Sequence, residues 1–279
     1  MRIGEHDIGV CSWSLHPSGM SELVRLVRKL DLQHVQLATA NLLALDDAAR
    51  AGEIRVLRES GLKITSGMIG FPGEDYSNIA NIKQTGGYVP DEQWEPRKAL
   101  TARAATLCKE LGLSKLTTHV GFVPISSDER YNVMLDRVCA IAAVLAEHGL
   151  DLLMETGQEA ASELLQFLND LRCRNVFVNF DPANMILYGA GDPVEAVQIL
   201  GRHIQHVHVK DAIASDQRGV TWGKEVPFGS GEVPVDDFFA ALKSVGYSGP
   251  LVIEREAGNE RVEDVKFAIE TIRRSIEGP

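Results

Sequence analysis

The segment 151-DLLMETGQEAASELLQFLNDLRCRNVFVNFD-181 contains the repeating unit of this chain in full. Its two ends, "DLLMET" from Asp151 and "VFVNFD" from Val176, are short apolar runs that each close on polar residues including an acid. Between them, "EAASELLQFLNDLR" spaces its apolar residues three and four apart, the period of an amphipathic helix. Strand, helix and strand at this length imply two parallel strands joined by a right-handed crossover. The same alternation continues outward in both directions. Further strand-like runs are "DIGVCSWSL" from Asp7, "HVQLAT" from His34, "KITSGMIGF" from Lys63, "KLTTHVGF" from Lys115, "IQHVHVKD" from Ile204 and "PLVIERE" from Pro250. With the first two these make eight, and a helical pattern follows each. Gly61, Gly112, Gly149 and Gly246 stand where a helical run gives way to a strand, and glycine there can take the left-handed conformation that ends a helix. Eight units in 279 residues predict one domain over residues 1–279, an α/β chain closed into a (β/α)8 TIM barrel. An open doubly wound sheet is the alternative. It is disfavoured because no strand leads into a glycine-rich phosphate loop: "GSGEVP" from Gly229 follows a polar loop and lacks the G-x-G-x-x-G spacing.

Composition narrows the partners. With 39 acidic against 28 basic residues the formal charge is −11, which opposes binding a polyanion such as nucleic acid. No apolar run reaches the length of a membrane span, and the N-terminal stretch lacks the pattern of a signal peptide. Cys11, Cys108, Cys139 and Cys173 show no paired spacing and lie in apolar patterns, so buried free thiols are expected. A cytoplasmic protein is the expectation, with a symmetric homo-oligomer as the common default. Two long connections, 71–94 and 212–234, follow strands and so belong on the C-terminal face of a barrel, where active sites are built.

Side chains alternate along a strand, so parity shows which polar residues point together. In "HVHVKD", His206, His208 and Lys210 share one face and Val207 and Val209 the other. The valines suit the helix-covered outside, which turns the histidines inward. By the same count Glu155, Asp181 and Glu254 close strands five, six and eight. A lone acid at a strand end is ordinarily a helix cap or a salt-bridge partner. Three converging carboxylates repel one another and are costly to desolvate, and a divalent cation among them resolves the cost. One imidazole with three carboxylates suits a fairly hard ion: Mn, Mg or Co, with Zn in a less typical setting. His208 is the expected ligand, and His206 a buried neighbour that orients it.

The stretches "METG" (154–157), "NFDPANM" (179–185), "HVHVKDA" (206–212) and "GSGEVPVDDFFAALKSVGYSGPLVIERE" (229–256), in this order, resemble the xylose isomerase-like TIM barrels, the sugar phosphate isomerase and epimerase group. The resemblance runs over essentially the whole chain. It implies a metal-dependent isomerase or epimerase acting on a small carbohydrate, with Glu155, Asp181, His208 and Glu254 as metal ligands and the two glutamates as proton carriers. The family's sugar epimerases have a histidine where this chain has Asn184, and an arginine soon after the histidine ligand, where this chain has Lys210 and only later Arg218. Both are read as substrate-contacting positions.

The chemistry expected is removal of a proton beside a carbonyl, with the charge on oxygen stabilised by a Lewis acid. Return of the proton to the opposite face gives epimerisation, and return to the neighbouring carbon gives isomerisation. Loss of a β-hydroxyl gives a dehydratase or lyase instead, which is the competing reading. His119 in "TTHVG" is either a substrate contact or a structural histidine, and Trp13 either a wall for a sugar face or a packed core residue. Lys210 has three readings: a hydroxyl contact, a phosphate contact, or the partner of Asp211. Gln36 on strand two is the weakest candidate.

Overall fold

The computed structural model describes residues 1–278. Eight parallel strands close on themselves: β1 (His6–Cys11), β2 (His34–Ala38), β3 (Lys63–Met68), β4 (Lys115–Thr118), β5 (Asp151–Glu155), β6 (Val176–Phe180), β7 (Ile204–Val209) and β8 (Leu251–Ile253). Each pairs with the next, and β8 pairs with both β7 and β1, which leaves the barrel no open edge. This is the (β/α)8 barrel that the alternation predicts. The helices also fall on the predicted runs, among them Asp47–Ser60, Trp94–Glu110, Tyr131–Ala146 and Arg261–Glu277. Gly61, Gly112, Gly149 and Gly246 sit at φ +72°, +73°, +73° and +74°, the left-handed values that a helix-ending glycine supplies.

The departures lie at the C-terminal ends of the strands. "DIGVCSWSL" leaves the sheet at Cys11, and Ser12–Leu15 forms a 3₁₀ turn that carries Trp13. The connection 71–94 holds a short helix, Ile79–Thr85, where no regular element is expected. In 212–234 the chain folds into a two-stranded ribbon, Asp211–Ile213 against Lys224–Val226. Another short helix, Pro182–Tyr188, follows β6 directly, with Asp181 as its N-cap. These pieces are too brief for a periodic signal to register.

Parity on β7 holds in the structure. Val207 and Val209 join the hydrophobic core, whereas His206 and His208 hydrogen-bond across the barrel interior to other strands. Of the thiols, Cys11 and Cys108 are buried as expected. Cys139 and Cys173 are only half-buried, and their sulfurs lie 2.7 Å apart, which sequence separation alone did not reveal.

Candidate metal and substrate site

At the C-terminal mouth the barrel brings Glu155, Asp181, His208 and Glu254 together, with one ligand-type atom from each lying within 4.8 Å of all the others. Register explains the convergence: Val252 pairs with His208 between β8 and β7, and Glu155 with Asn179 between β5 and β6. His208 Nδ1 stands 3.3 Å from Glu155 Oε1, 3.6 Å from Asp181 Oδ2 and 3.4 Å from Glu254 Oε2.

Three of the four, Asp181, Glu155 and His208, are held by one part of the side chain and free at another, whereas both oxygens of Glu254 are engaged. Asp181 accepts the Ala183 and Asn184 N–H groups at Oδ1, capping the short helix, while Oδ2 is buried without a partner. The cap and the candidate ligand are therefore the same residue. Glu155 accepts Asn184 Nδ2 at 3.1 Å through Oε1, and Oε2 is unpartnered. Glu254 accepts Trp13 Nε1 at 2.7 Å through Oε1 and Lys210 Nζ at 2.8 Å through Oε2. His208 Nε2 donates to Gln36 Oε1 at 2.5 Å, and its Nδ1 has no hydrogen bond. Gln36 cannot turn freely, because its amide nitrogen donates to Ser66 Oγ at 2.8 Å and Thr117 Oγ1 at 3.0 Å. Its carbonyl oxygen therefore faces the imidazole, which puts the proton of neutral His208 on Nε2 and the lone pair of Nδ1 towards the carboxylates.

Three buried polar atoms without partners, on residues whose ligand-type atoms gather within 4.8 Å of one another, fit a divalent cation far better than they fit empty space. Buried in the cluster, Asp181 has its carboxyl pushed up by desolvation, against the pull of Lys210. Burial works against charge on His208 too, yet the surrounding carboxylates outweigh it and hold its pKa well above the ordinary value. The His208 direction expresses the negative charge gathered round it, which a cation would balance. Cys11 also lies beside His208, with Sγ 3.7 Å from Nε2, but burial pushes its thiol up to about 12 and leaves it neutral.

The other predicted residues divide. His119, Asn184, Lys210 and Trp13 line a cavity of about 580 Å³ that opens onto Glu155 and Glu254. His119 Nε2 is 3.5 Å from Glu155 Oε1, so it faces the glutamate that has an uncommitted oxygen. Trp13 is more than a wall, since its indole N–H fixes Glu254. Arg218 does not reach the cavity: its side chain is 68% exposed and points to Glu232 at 3.6 Å. Its place in a loop, beyond the reach of strand parity, accounts for the error.

Two readings of β7 also need correction. His206 makes no hydrogen bond to His208; it bonds Asn179 Oδ1 and, at 2.9 Å, Thr65 Oγ1, and burial keeps it neutral. Gln36, ranked last, is the residue that orients His208. Lys210 does not pair with Asp211, because neighbours on an extended chain face opposite ways. It bridges Glu254 and Glu256, while Asp211 accepts the N–H groups of Ala212, Gly229, Gly231 and Val233. "GSGEV" is thus the cradle of an aspartate. A Cβ on Gly231 would stand 2.3 Å from that carboxylate, so only glycine fits.

Sequence reasoning missed Glu256, Tyr76, Tyr188 and Trp222, all on cavity-facing loops or the short helix. Trp222 donates through Nε1 to Tyr76 O at 3.0 Å and packs edge-on against Tyr188, which ties the two long connections together over the cavity. Glu159, four residues beyond Glu155, is buried, and desolvation pushes its carboxyl up to about 8 against the pull of the Val123 N–H. An unfolded glutamate titrates near 4.5, so between 4.5 and 8 the folded chain holds a proton that the unfolded chain releases. Stability therefore falls as pH rises through that window. Glu159→Gln is expected to flatten the fall, read as melting temperature from pH 5 to pH 8; equal slopes in both proteins would refute the assignment.

The fold coincides with that of a known family. Residues 24–275 match the family model described as xylose isomerase-like TIM barrel. The chain belongs to that family. It is similar to a solved xylose isomerase domain protein from Planctomyces limnophilus, 31% identical, with a TM-score of 0.87 and 98% and 99% of the two chains covered. Curated relatives include two inosose dehydratases. That of Clostridium botulinum is 23% identical over 51% of this chain and 53% of its own length, and that of Erwinia tasmaniensis is 27% identical over 66% and 68%. The chain thus aligns with only about half the length of the first. A D-psicose 3-epimerase from Clostridium cellulolyticum H10, solved with D-tagatose, shares the fold at 16% identity, a TM-score of 0.73 and coverage of 97% and 99%. Among the described residues no helix is long and apolar enough to cross a membrane.

Proposed function

We propose that this protein is a divalent-metal-dependent isomerase or epimerase that moves a proton beside the carbonyl of a sugar or keto-polyol. The observation that carries the reading is the set of unpartnered buried atoms, Glu155 Oε2, Asp181 Oδ2 and His208 Nδ1, in one cluster with Glu254, of which Glu155 and Glu254 line the cavity. Glu155, Asp181, His208 and Glu254 would hold one Mn, Mg, Co or Zn ion. When bound, that ion supplies a Lewis acid for the negative charge that develops on the substrate's carbonyl oxygen.

The chain's own residues supply the proton chemistry. Glu155, with an oxygen free of hydrogen bonds and His119 beside it, takes the proton from the carbon next to the carbonyl. Glu254, a carboxylate held by Trp13 and Lys210, serves the other side of the cluster, where it takes a proton from solvent and delivers it to the carbon, while Glu155 gives up its own proton to solvent. Asn184 sets the angle of Glu155. A dehydratase outcome from the same proton abstraction is the second reading. The two inosose dehydratase relatives favour it, as does the presence of Asn184 in place of the histidine typical of the sugar epimerases.

Incubation with Mn²⁺ or Mg²⁺ in D₂O, with ketoses and a keto-inositol as substrates, tests both. An isomerase or epimerase introduces deuterium at the carbon next to the carbonyl and otherwise conserves mass. A dehydratase gives a product lighter by one water. Metal-loaded protein that does neither with any of these compounds overturns the proposal.

A further inference from the structure

We infer that the substrate of this site is uncharged, a free ketose or keto-cyclitol and not a phosphate ester or a carboxylate. The inference rests on reading the cavity as the proton-transfer site and names the class of molecule it accepts. Five carboxylates, Glu74, Glu155, Glu225, Glu254 and Glu256, face the cavity, whereas its lining contains one lysine and no arginine. That lysine is already engaged, with Lys210 Nζ 2.8 Å from Glu254 and 2.6 Å from Glu256. The nearby Arg255 guanidinium is consumed as well, by Glu225 at 2.6 Å and Asp264 at 2.8 Å. Even with a divalent ion in place, the three ligand carboxylates exceed its charge. An anionic substituent would meet net negative potential and would have to displace Glu256 to reach a cation.

Backbone N–H groups offer no substitute. In barrels of this kind the loops after the seventh and eighth strands are where N–H groups commonly cradle a phosphate. Here the N–H groups of Gly229, Gly231 and Val233, in the loop after β7, converge on the chain's own Asp211. The anion site is filled from within. What the cavity presents is aromatic: Trp13, Tyr76, Tyr188 and Trp222, surfaces that suit the C–H faces of a neutral polyol ring.

Saturation-transfer NMR and calorimetry read binding with or without added Mg²⁺ and without turnover. The probes are D-tagatose, D-psicose and a keto-inositol, against D-tagatose 6-phosphate and 3-dehydroshikimate. The neutral compounds are expected to bind at least about tenfold more tightly than either anion. Glu256→Gln, which removes one of the two carboxylates on Lys210 and one negative charge from the cavity wall, is expected to narrow the gap for the phosphate ester about tenfold. A phosphate ester or carboxylate that binds wild-type protein as tightly as the neutral sugars overturns the inference. Solvent-deuterium exchange in the same samples keeps the two readings apart. Exchange confined to the anionic probes removes the inference and retains proton transfer, whereas tight neutral binding without exchange does the reverse. Binding of neither class overturns the assignment of the cavity to sugars altogether.

Discussion

Glu155→Gln is expected to lower α-proton exchange by about 10³-fold while leaving the fold intact, and Glu254→Gln to lose exchange and stability together. General bases contribute about 10²–10⁴-fold to such steps, and each substitution also weakens a proposed metal ligand. The difference between the two follows from their hydrogen bonds. Glu155 has one oxygen that accepts from Asn184 and one with no partner, so an amide can place its NH₂ at the vacant side and keep the Asn184 contact. Glu254 has both oxygens committed to donors, Trp13 Nε1–H and Lys210 Nζ. An amide there must turn its own NH₂ against one of them, and a buried donor left unpaired costs about 1–3 kcal/mol. Thermal melts of the metal-free proteins separate the cases. Equal melting temperatures for the two variants would show that the commitment of Glu254 to Trp13 and Lys210 carries no stabilising weight. Full exchange activity in Glu155→Gln would remove it as the base.

Gln36→Met is expected to weaken metal affinity by about 10–100-fold without touching a ligand. The wild-type amide holds His208 by accepting from Nε2–H, and is itself held by Ser66 and Thr117. Methionine fills a similar volume but accepts poorly, so the imidazole loses the bond that selects its tautomer. Ser66 and Thr117 retain their own hydrogen bond at 3.0 Å, which keeps the barrel interior paired in the variant. Competition with a chromophoric chelator gives the dissociation constant directly. A constant unchanged from wild type would mean that the carboxylates alone orient the histidine.

The difference in legibility between the barrel and its mouth has a physical origin. Strand periodicity is a repeated signal, so the eight parallel strands and the inward face of His206 and His208 could be read from alternation alone. Glu155, Asp181 and Glu254 were legible for the same reason, each standing at a strand end in phase with an inward residue. Partners are set by tertiary proximity, and there the reading failed. Gln36 looked unremarkable because one polar residue on a buried strand carries no pattern. Its meaning comes from Ser66, Thr117 and His208 on three other strands. Lys210 and Asp211 invited pairing because they are adjacent in sequence, yet the parity that placed the histidines also sends these two apart. Arg218, Tyr76 and Trp222 lie on connections with no period, so their directions had no local determinant.

The Asp211 cradle has a consequence for engineering. It anchors the far end of the long connection to the end of β7 through Gly229, Gly231 and Val233, and the Asp211–Ile213 ribbon with Lys224–Val226 pins its stem. Residues 214–223 therefore form a cassette suspended between fixed posts, with Trp222 and Gly223 at the cavity wall. Grafts or libraries confined to that span redesign what the cavity admits while the strand ends that carry Glu155, Asp181, His208 and Glu254 keep their register.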